Sequence, residues 1–178
     1  MTLSNKRVKT VKPILDVCCG SRMFWFNKKN PNVIFGDIRT ETHVLCDGRT
    51  LEIKPDMKLD FTKLPFETSK FHLVVFDPPH LKCGGDNSWM VKKYGRLTAD
   101  WRSDLKAGFA ECLRVLKPNG VLIFKWNETQ IPVSQILPLI DVQPLFGHKS
   151  GKQQKTHWLT FMKPSDIHTK PALISSAQ

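Results

Sequence analysis

Four apolar runs mark the first half of the chain, and each closes on an aspartate: "PILD" at Asp16, "NVIFGD" at Asp37, "MKLD" at Asp60 and "FHLVVFD" at Asp77. The runs are short and hardly alternate between apolar and polar. That pattern predicts β-strands covered on both faces, as in a parallel sheet. One helix has a clear period. In "LTADWRSDLKAGFAECLRVLKPNG", Trp101, Leu105, Phe109, Cys112, Leu113 and Leu116 recur at steps of three and four. Thr98 or Asp100 is placed to cap its start. "KPNG" (117–120) is expected to end it, because proline cannot continue a helix and glycine permits the reversal. "VLIFKW" (121–126) then predicts a fifth strand. "IPVSQILPLI" (131–140) predicts a short helix with Pro132 in its first turn and Pro138 limiting it. Residues 142–163 predict two strands joined by a polar, lysine-rich loop. A first helix is expected near residues 21–30, where "RMFWFNKKN" is short and aromatic. Strands with helices between them and a hairpin last imply an α/β sheet with an antiparallel edge.

The chain of 178 residues fits one domain, 1–178, with a basic arm at 1–12 and a tail at 164–178 that has no evident core role. No apolar run approaches the roughly 18 residues of a membrane span. The first residues are basic without an apolar stretch, so a cytoplasmic protein is expected. Cys18, Cys19, Cys46, Cys83 and Cys112 form no disulfide framework and suit a reducing compartment. Lys and Arg total 27 against 16 Asp and Glu, a formal charge of +11. A field of that sign favours polyanionic partners, nucleic acid above all.

In a parallel sheet the aspartates that close the strands lie along one edge, where ligands bind at the reversal of strand order. Four in succession, with "CCGS" (18–21) after the first, offer carboxylates to hydroxyls and amines. The fourth run ends in "DPPH" (77–80). Each proline pushes the residue before it out of the helical region and fixes its own φ near −65°. Asp77 and Pro78 therefore form a rigid stub that presents a carboxylate and a carbonyl in fixed relation. "LKCGGDNSWMVKKYGRLTADW" (81–101) follows, glycine-rich and then basic and aromatic. It reads as a flexible substrate loop in which Trp89, Lys92, Lys93, Tyr94 and Arg96 combine phosphate-binding charge with a stacking platform. Lys125 and Asn127, at the end of the fifth strand, face the same sheet edge. His43-x-x-Cys46 and His80-x-x-Cys83 share a spacing that zinc sites use. They follow strands on either side of the first and would have to close across the ligand crevice, so no metal is expected.

With these motifs the chain resembles the class I S-adenosylmethionine-dependent methyltransferases over roughly residues 13–163. "LDVCCGS" (15–21) is similar to their first motif. "DPPH" is similar to the Asp-Pro-Pro-Tyr motif of the branch that methylates exocyclic amines of nucleic-acid bases. The resemblance implies a Rossmann-like, mostly parallel seven-stranded sheet with the last hairpin at one edge, and S-adenosylmethionine as cofactor. It assigns Asp16, Cys19, Gly20 and Ser21 to the cofactor's methionine part, Asp37 to the ribose, and Asp60 with Phe61 to the adenine; Arg22 stands beside them as a candidate cofactor-binding residue. It assigns Asp77, Pro78, Pro79 and His80 to catalysis, with His80 where the family has a stacking aromatic. Two departures stand out. Arg22 replaces the usual second glycine, either to aim a guanidinium at the cofactor's carboxylate or as a mark of a weakened site. His80 replaces tyrosine. The implied activity is N-methylation of a base amine, adenine N6 first. The rivals are a methyltransferase for a small molecule or protein, a non-catalytic module that binds cofactor or nucleic acid, and, less favoured, a nicotinamide-dependent oxidoreductase in which "DPPH" has no role.

Overall fold

A computed structural model of the chain describes residues 12–45 and 47–165. Most of the arm, most of the tail, and Cys46 of the first His/Cys pair lie outside the described residues. Four strands form where the apolar runs predict them: β1 (Ile14–Asp16), β2 (Val33–Asp37), the two-residue β5 (Met57–Lys58) and β6 (Phe71–Phe76). β7 (Leu116–Asn127), β8 (Phe146–Ser150) and β9 (Thr156–Met162) complete one seven-stranded sheet of order β5-β2-β1-β6-β7-β9-β8. β2, β1, β6 and β7 pair in parallel, as do β2 and β5, while β9 runs antiparallel to both β7 and β8. β1 pairs with β2 on one side and β6 on the other. The chain first winds outward through β2 and β5, then returns across β1. That reversal opens a crevice where β1 and β6 end.

The periodic helix forms as α2 (Trp101–Val115), with Trp101, Leu105, Phe109 and Cys112 on its buried side. It packs on one sheet face, against Val74, Phe76, Leu122, Phe124 and Phe161, and the segment 131–140 covers the rest. Aromatic edges knit this core: Phe109 meets Phe124 at 4.8 Å and Phe76 at 5.2 Å between ring centres. Gly108 is the contact point. A methyl group there would come within 2.7 Å of Phe61 and 2.9 Å of Phe76, so glycine sets how closely α2 approaches the sheet. Among the described residues no helix is long and apolar enough to cross a membrane.

The structure corrects several expectations. Residues 21–30 form turns, not a helix. Gly20 and Arg22 both adopt positive φ, 49° and 55°, which a right-handed helix cannot contain. Phe24 and Trp25 instead lie on the second sheet face, where Trp25 meets Phe35 edge-on at 5.2 Å. Coverage of that face is partial: Leu73, Val121 and Ile123 are half-buried, so these strands are not sealed on both sides as their apolar runs imply. α2 ends at Val115, before "KPNG", and the chain enters β7 directly. The tight bend falls on Asn119, at φ 61°, and not on the following glycine. Residues 131–140 form two short 3-10 turns, Val133–Gln135 and Leu137–Leu139, because Pro138 interrupts the α-helical ladder. The loop after Pro79 contains a short helix, α1 (Trp89–Tyr94). A second small sheet, β3 (Glu41–Val44) with β4 (Thr50–Ile53), was not anticipated.

Gly108→Ala is expected to destabilise the fold by about 1–3 kcal/mol, the usual range for overpacking, despite alanine's better helix propensity. Urea denaturation checks this: the midpoint should fall at constant m-value, and an unchanged midpoint would show that the Phe61–Phe76 contact yields freely.

Candidate active site

The turn after β1 is built from backbone donors. Val17 N–H continues the ladder to the Val75 carbonyl at 3.1 Å, and Cys19 N–H reaches the Gly36 carbonyl at 2.7 Å. Gly20 N–H donates to Asp37 Oδ2 at 2.9 Å, which ties the turn to the end of β2. At φ 49° Gly20 adopts the left-handed conformation that favours glycine, and a Cβ there would have no neighbour within 4 Å. Its face opens on a cavity of about 370 Å³, within the range of small-molecule pockets.

Most of the residues singled out from the sequence meet around this cavity. Cys19, Gly20, Ser21, Asp37 and Phe61 line one part; Asp77, Pro78, Pro79, His80, Lys93, Tyr94, Arg96 and Lys125 line the other. The parallel strands bring the two motifs to one edge, as their order along the chain implies. Asp37 is buried, and its Oδ1 accepts from the backbone N–H of Arg39 at 2.9 Å and its Nε at 3.3 Å. Arg39 Nη1 continues to the Lys92 carbonyl at 3.1 Å, so one guanidinium clamps α1 to the end of β2. Gly95, at φ 75°, lets the end of α1 approach the Pro79 ring.

Asp77 is paired with a lysine of the neighbouring strand. Lys125 Nζ donates to its Oδ2 at 2.6 Å. The same ammonium lies 5.6 Å from the ring centres of both Phe24 and Trp158, which meet edge-on at 5.5 Å. Burial pushes the Asp77 carboxyl above its ordinary value, against the pull of Lys125's charge. His80 is 7% exposed, with Tyr94 at 5.1 Å and Trp126 at 6.4 Å between ring centres. Burial, aided by the Lys125 charge, lowers its pKa to about 4, so the imidazole is neutral at physiological pH. Tyr94 lines the cavity beside it.

Other expected residues sit elsewhere. Asp16 is wholly buried beneath the turn and does not line the cavity. Its Oδ2 accepts from Trp25 Nε1–H at 2.7 Å and its Oδ1 from Cys18 N–H at 3.3 Å. Arg22 turns away from the cavity: its guanidinium donates to the carbonyls of Lys28 (2.6 Å) and Lys54 (2.8 Å) and to Asp56 (2.8 Å), and lies 4.0 Å from the Phe35 ring centre. These bonds hold a non-glycine residue at positive φ, a conformation that costs on the order of 1–2 kcal/mol. Asp60 is exposed and caps its own turn, accepting from Thr62 N–H at 2.8 Å and Thr62 O–H at 2.7 Å. Asn127 bonds Thr156 at 3.2 Å and the Thr129 N–H at 3.0 Å, closing the end of β7 rather than the cavity. Lys92 contributes its carbonyl, and Trp89 faces a neighbouring groove. Sequence reasoning missed Met23, Phe24, Ile38 and Arg39, all of which line the cavity. Arg39 had a signal, a cation two residues after the acid that ends β2; the aromatic roof had none, because it was read as helix. Burial raises the Cys19 thiol to about 12, so it packs as a small apolar group. Among the described residues no group of three His, Cys, Asp or Glu side chains is arranged to hold a metal ion.

Buried Asp16 and His80 give opposite pH dependences. Burial raises Asp16 from 3.8 to about 7, so its folded form binds a proton that the unfolded form has released, and stability falls as pH rises through that interval. His80, lowered from 6.5 to about 4, does the reverse: its stability is present above the unfolded value and is lost as pH falls through the interval. Asp16→Asn is expected to add up to about 4 kcal/mol of stability relative to the parent on going from pH 4 to 7. His80→Gln is expected to lose about 3 kcal/mol relative to the parent between pH 4 and 6.5. Denaturant titrations across that range measure both, and parallel curves for parent and variants would contradict them.

No protein-family model matches the chain, and no curated protein matches it. Solved structures do. The PH0226 protein from Pyrococcus horikoshii OT3 superposes with a TM-score of 0.55 at 15% identity, over 89% of this chain and 84% of that one. A TehB-like S-adenosylmethionine-dependent methyltransferase from Corynebacterium glutamicum gives 0.53 at 18% identity, over 84% and 79%. A geranyl diphosphate methyltransferase, solved with geranyl diphosphate and sinefungin, gives 0.50 at 10% identity, over 87% and 73%. At these identities the likeness establishes the fold: the chain has the Rossmann-like, mostly parallel seven-stranded sheet of the S-adenosylmethionine-dependent methyltransferases, with its antiparallel hairpin at one edge.

Proposed function

We propose that this protein is an S-adenosylmethionine-dependent methyltransferase acting on an exocyclic amine of a nucleic-acid base, adenine N6 first. One observation carries the reading: the Asp77-Pro78-Pro79 stub and the glycine turn after β1 line one cavity on a methyltransferase fold. The residues fit the cofactor. Gly20 leaves open space where a side chain would stand, and Asp37 sets a carboxylate at the end of β2 for a vicinal diol. Phe61 and Ile38 add apolar wall for an adenine. When bound, S-adenosylmethionine supplies an activated methyl group on a sulfonium.

The chain's own residues then hold and prepare the acceptor. A base amine is a poor nucleophile because its lone pair is delocalised into the ring. Asp77 has one oxygen on Lys125, which leaves Oδ1 to accept an amine N–H; the Pro78 carbonyl can take the second. Two such bonds favour the pyramidal amine and aim its lone pair, so the contribution is orientation plus acceptors placed where charge develops. Asp77, raised by burial, is also the group able to take the amine's proton. His80, packed between Tyr94 and Trp126 with its pKa lowered to about 4 by burial, is a weak base for the amine's proton. Tyr94 offers the aromatic face against which the base can lie. The basic composition agrees with a nucleic-acid acceptor.

Methyl-labelled cofactor offered to DNA, RNA and protein should label nucleic acid. Asp77→Ala should lower transfer by about 10³-fold or more while changing cofactor affinity less than about threefold. Equal loss of both would assign Asp77 to cofactor binding instead. Lys125→Met should move the acid limb of the pH–rate profile to higher pH, because the ammonium holds the Asp77 pKa down; an unmoved limb would remove Asp77 as the titrating group.

A further inference from the structure

A second cavity, about 1060 Å³, adjoins the first and shares Gly20, Ser21, Met23 and Lys93 with it. Its walls are the unanticipated β3–β4 hairpin and the turns at 28–29, so no motif in the sequence marks it. Six cations line it against three acids. Two of those acids are already neutralised, Asp56 by Arg22 and Asp47 by Arg49. The ammonium groups of Lys28, Lys29, Lys54 and Lys93 make no ion pair among the described residues. With Glu52 as the third acid, a net excess of three positive charges remains in one groove, a field that attracts a polyanion. Trp89 also lines the groove; it is 49% exposed, and Lys93 Nζ lies 5.7 Å from its ring centre. An exposed indole beside lysines is the arrangement that holds unpaired bases, with the ring stacking on a base while the ammonium meets the backbone.

We propose that this groove is the binding track for a single-stranded segment of nucleic acid. Its phosphates lie along Lys28, Lys29, Lys54 and Lys93, one base stacks on Trp89, and a neighbouring nucleotide is delivered into the Asp77 cavity. Lys93, on the wall of both cavities, stands at the junction. The preference for a single strand follows from the exposed stacking surface, which a paired base cannot reach. It also removes the need to flip a base out of a duplex before the amine can meet Asp77. The delivery step rests on the base-methylation reading; the binding step does not.

The test uses the full chain and a fluorescent single-stranded oligonucleotide of about 12 nucleotides, as DNA and as RNA, with anisotropy read across a salt series. Duplex of the same sequence and poly-glutamate serve as competitors. Combined Lys28→Glu, Lys29→Glu and Lys54→Glu should weaken binding by about 100-fold and make the log–log salt dependence shallower by about 2, three lost phosphate contacts on a single strand. Trp89→Ala should weaken it by about tenfold with the salt slope unchanged. S-adenosylmethionine binding, read by calorimetry, should be equal in all variants, which also shows that they fold. An unchanged slope in the triple variant, equal competition by poly-glutamate, or tighter binding of the duplex overturns the track. If the oligonucleotide binds in this way but receives no methyl group, the track stands and the base-methylation reading falls. If transfer to the oligonucleotide keeps its KM in the triple variant, the reverse holds.

Discussion

The site depends on one constrained carboxylate. Asp77 is placed at the end of β6, stiffened by the two prolines after it, and held at Oδ2 by Lys125 on the adjacent strand. β6 and β7 pair in parallel through Phe76 and Phe124, which puts the next residue of each strand side by side. The ion pair is thus a direct product of register. It also resolves a conflict. Burial favours the neutral acid, while an acceptor of amine protons must be ionised; an ammonium at 2.6 Å shifts the balance toward the charged form. Phe24 and Trp158 sit over that ammonium and keep water from it on one side. Phe24, from the turns at 21–30, thus lines the same cavity as the ion pair it covers.

A second constraint, the turn after β1, keeps the cavity open. Gly20 is tied to Asp37, and Trp25 to Asp16, so the two acids of this edge hold the turn down from below. Arg22 completes the structure by a different route. It takes up the unfavourable backbone conformation itself and anchors in the carbonyls of Lys28 and Lys54, away from the cavity. Both residues that depart from the motifs this chain resembles thus leave the pocket clear. Arg22 braces the neighbouring groove, and His80 packs inward between Tyr94 and Trp126. Neither fills the space where a ligand would lie.

The strands were legible because apolar runs ending in aspartate are a strong signal, and their order along the chain was enough to place both motifs on one edge. α2 was legible from its period. What differs from the expectations differs for several physical reasons. Phe24 and Trp25 read as a helix because aromatic residues near lysines give no backbone information, and positive φ at Arg22 contradicts its residue type. Asp60 and Asn127 carry the right chemistry at the right strand ends, but at each of them a turn takes the side chain: Thr62 for Asp60, Thr129 and Thr156 for Asn127. The Asp77–Lys125 pair joins residues 48 apart and exists only through strand register. The basic groove was invisible for the same reason, since it joins turns at 28–29 to a hairpin at 41–53.

The role proposed for Asp77 is to address an amine on a base. It is tested most directly by offering labelled S-adenosylmethionine and two matched single-stranded oligonucleotides, one containing adenine and one with unsubstituted purine in its place. Label entering the adenine strand and not the purine strand is the predicted result. Equal labelling of both strands, or label found only in protein or a small molecule, would contradict it.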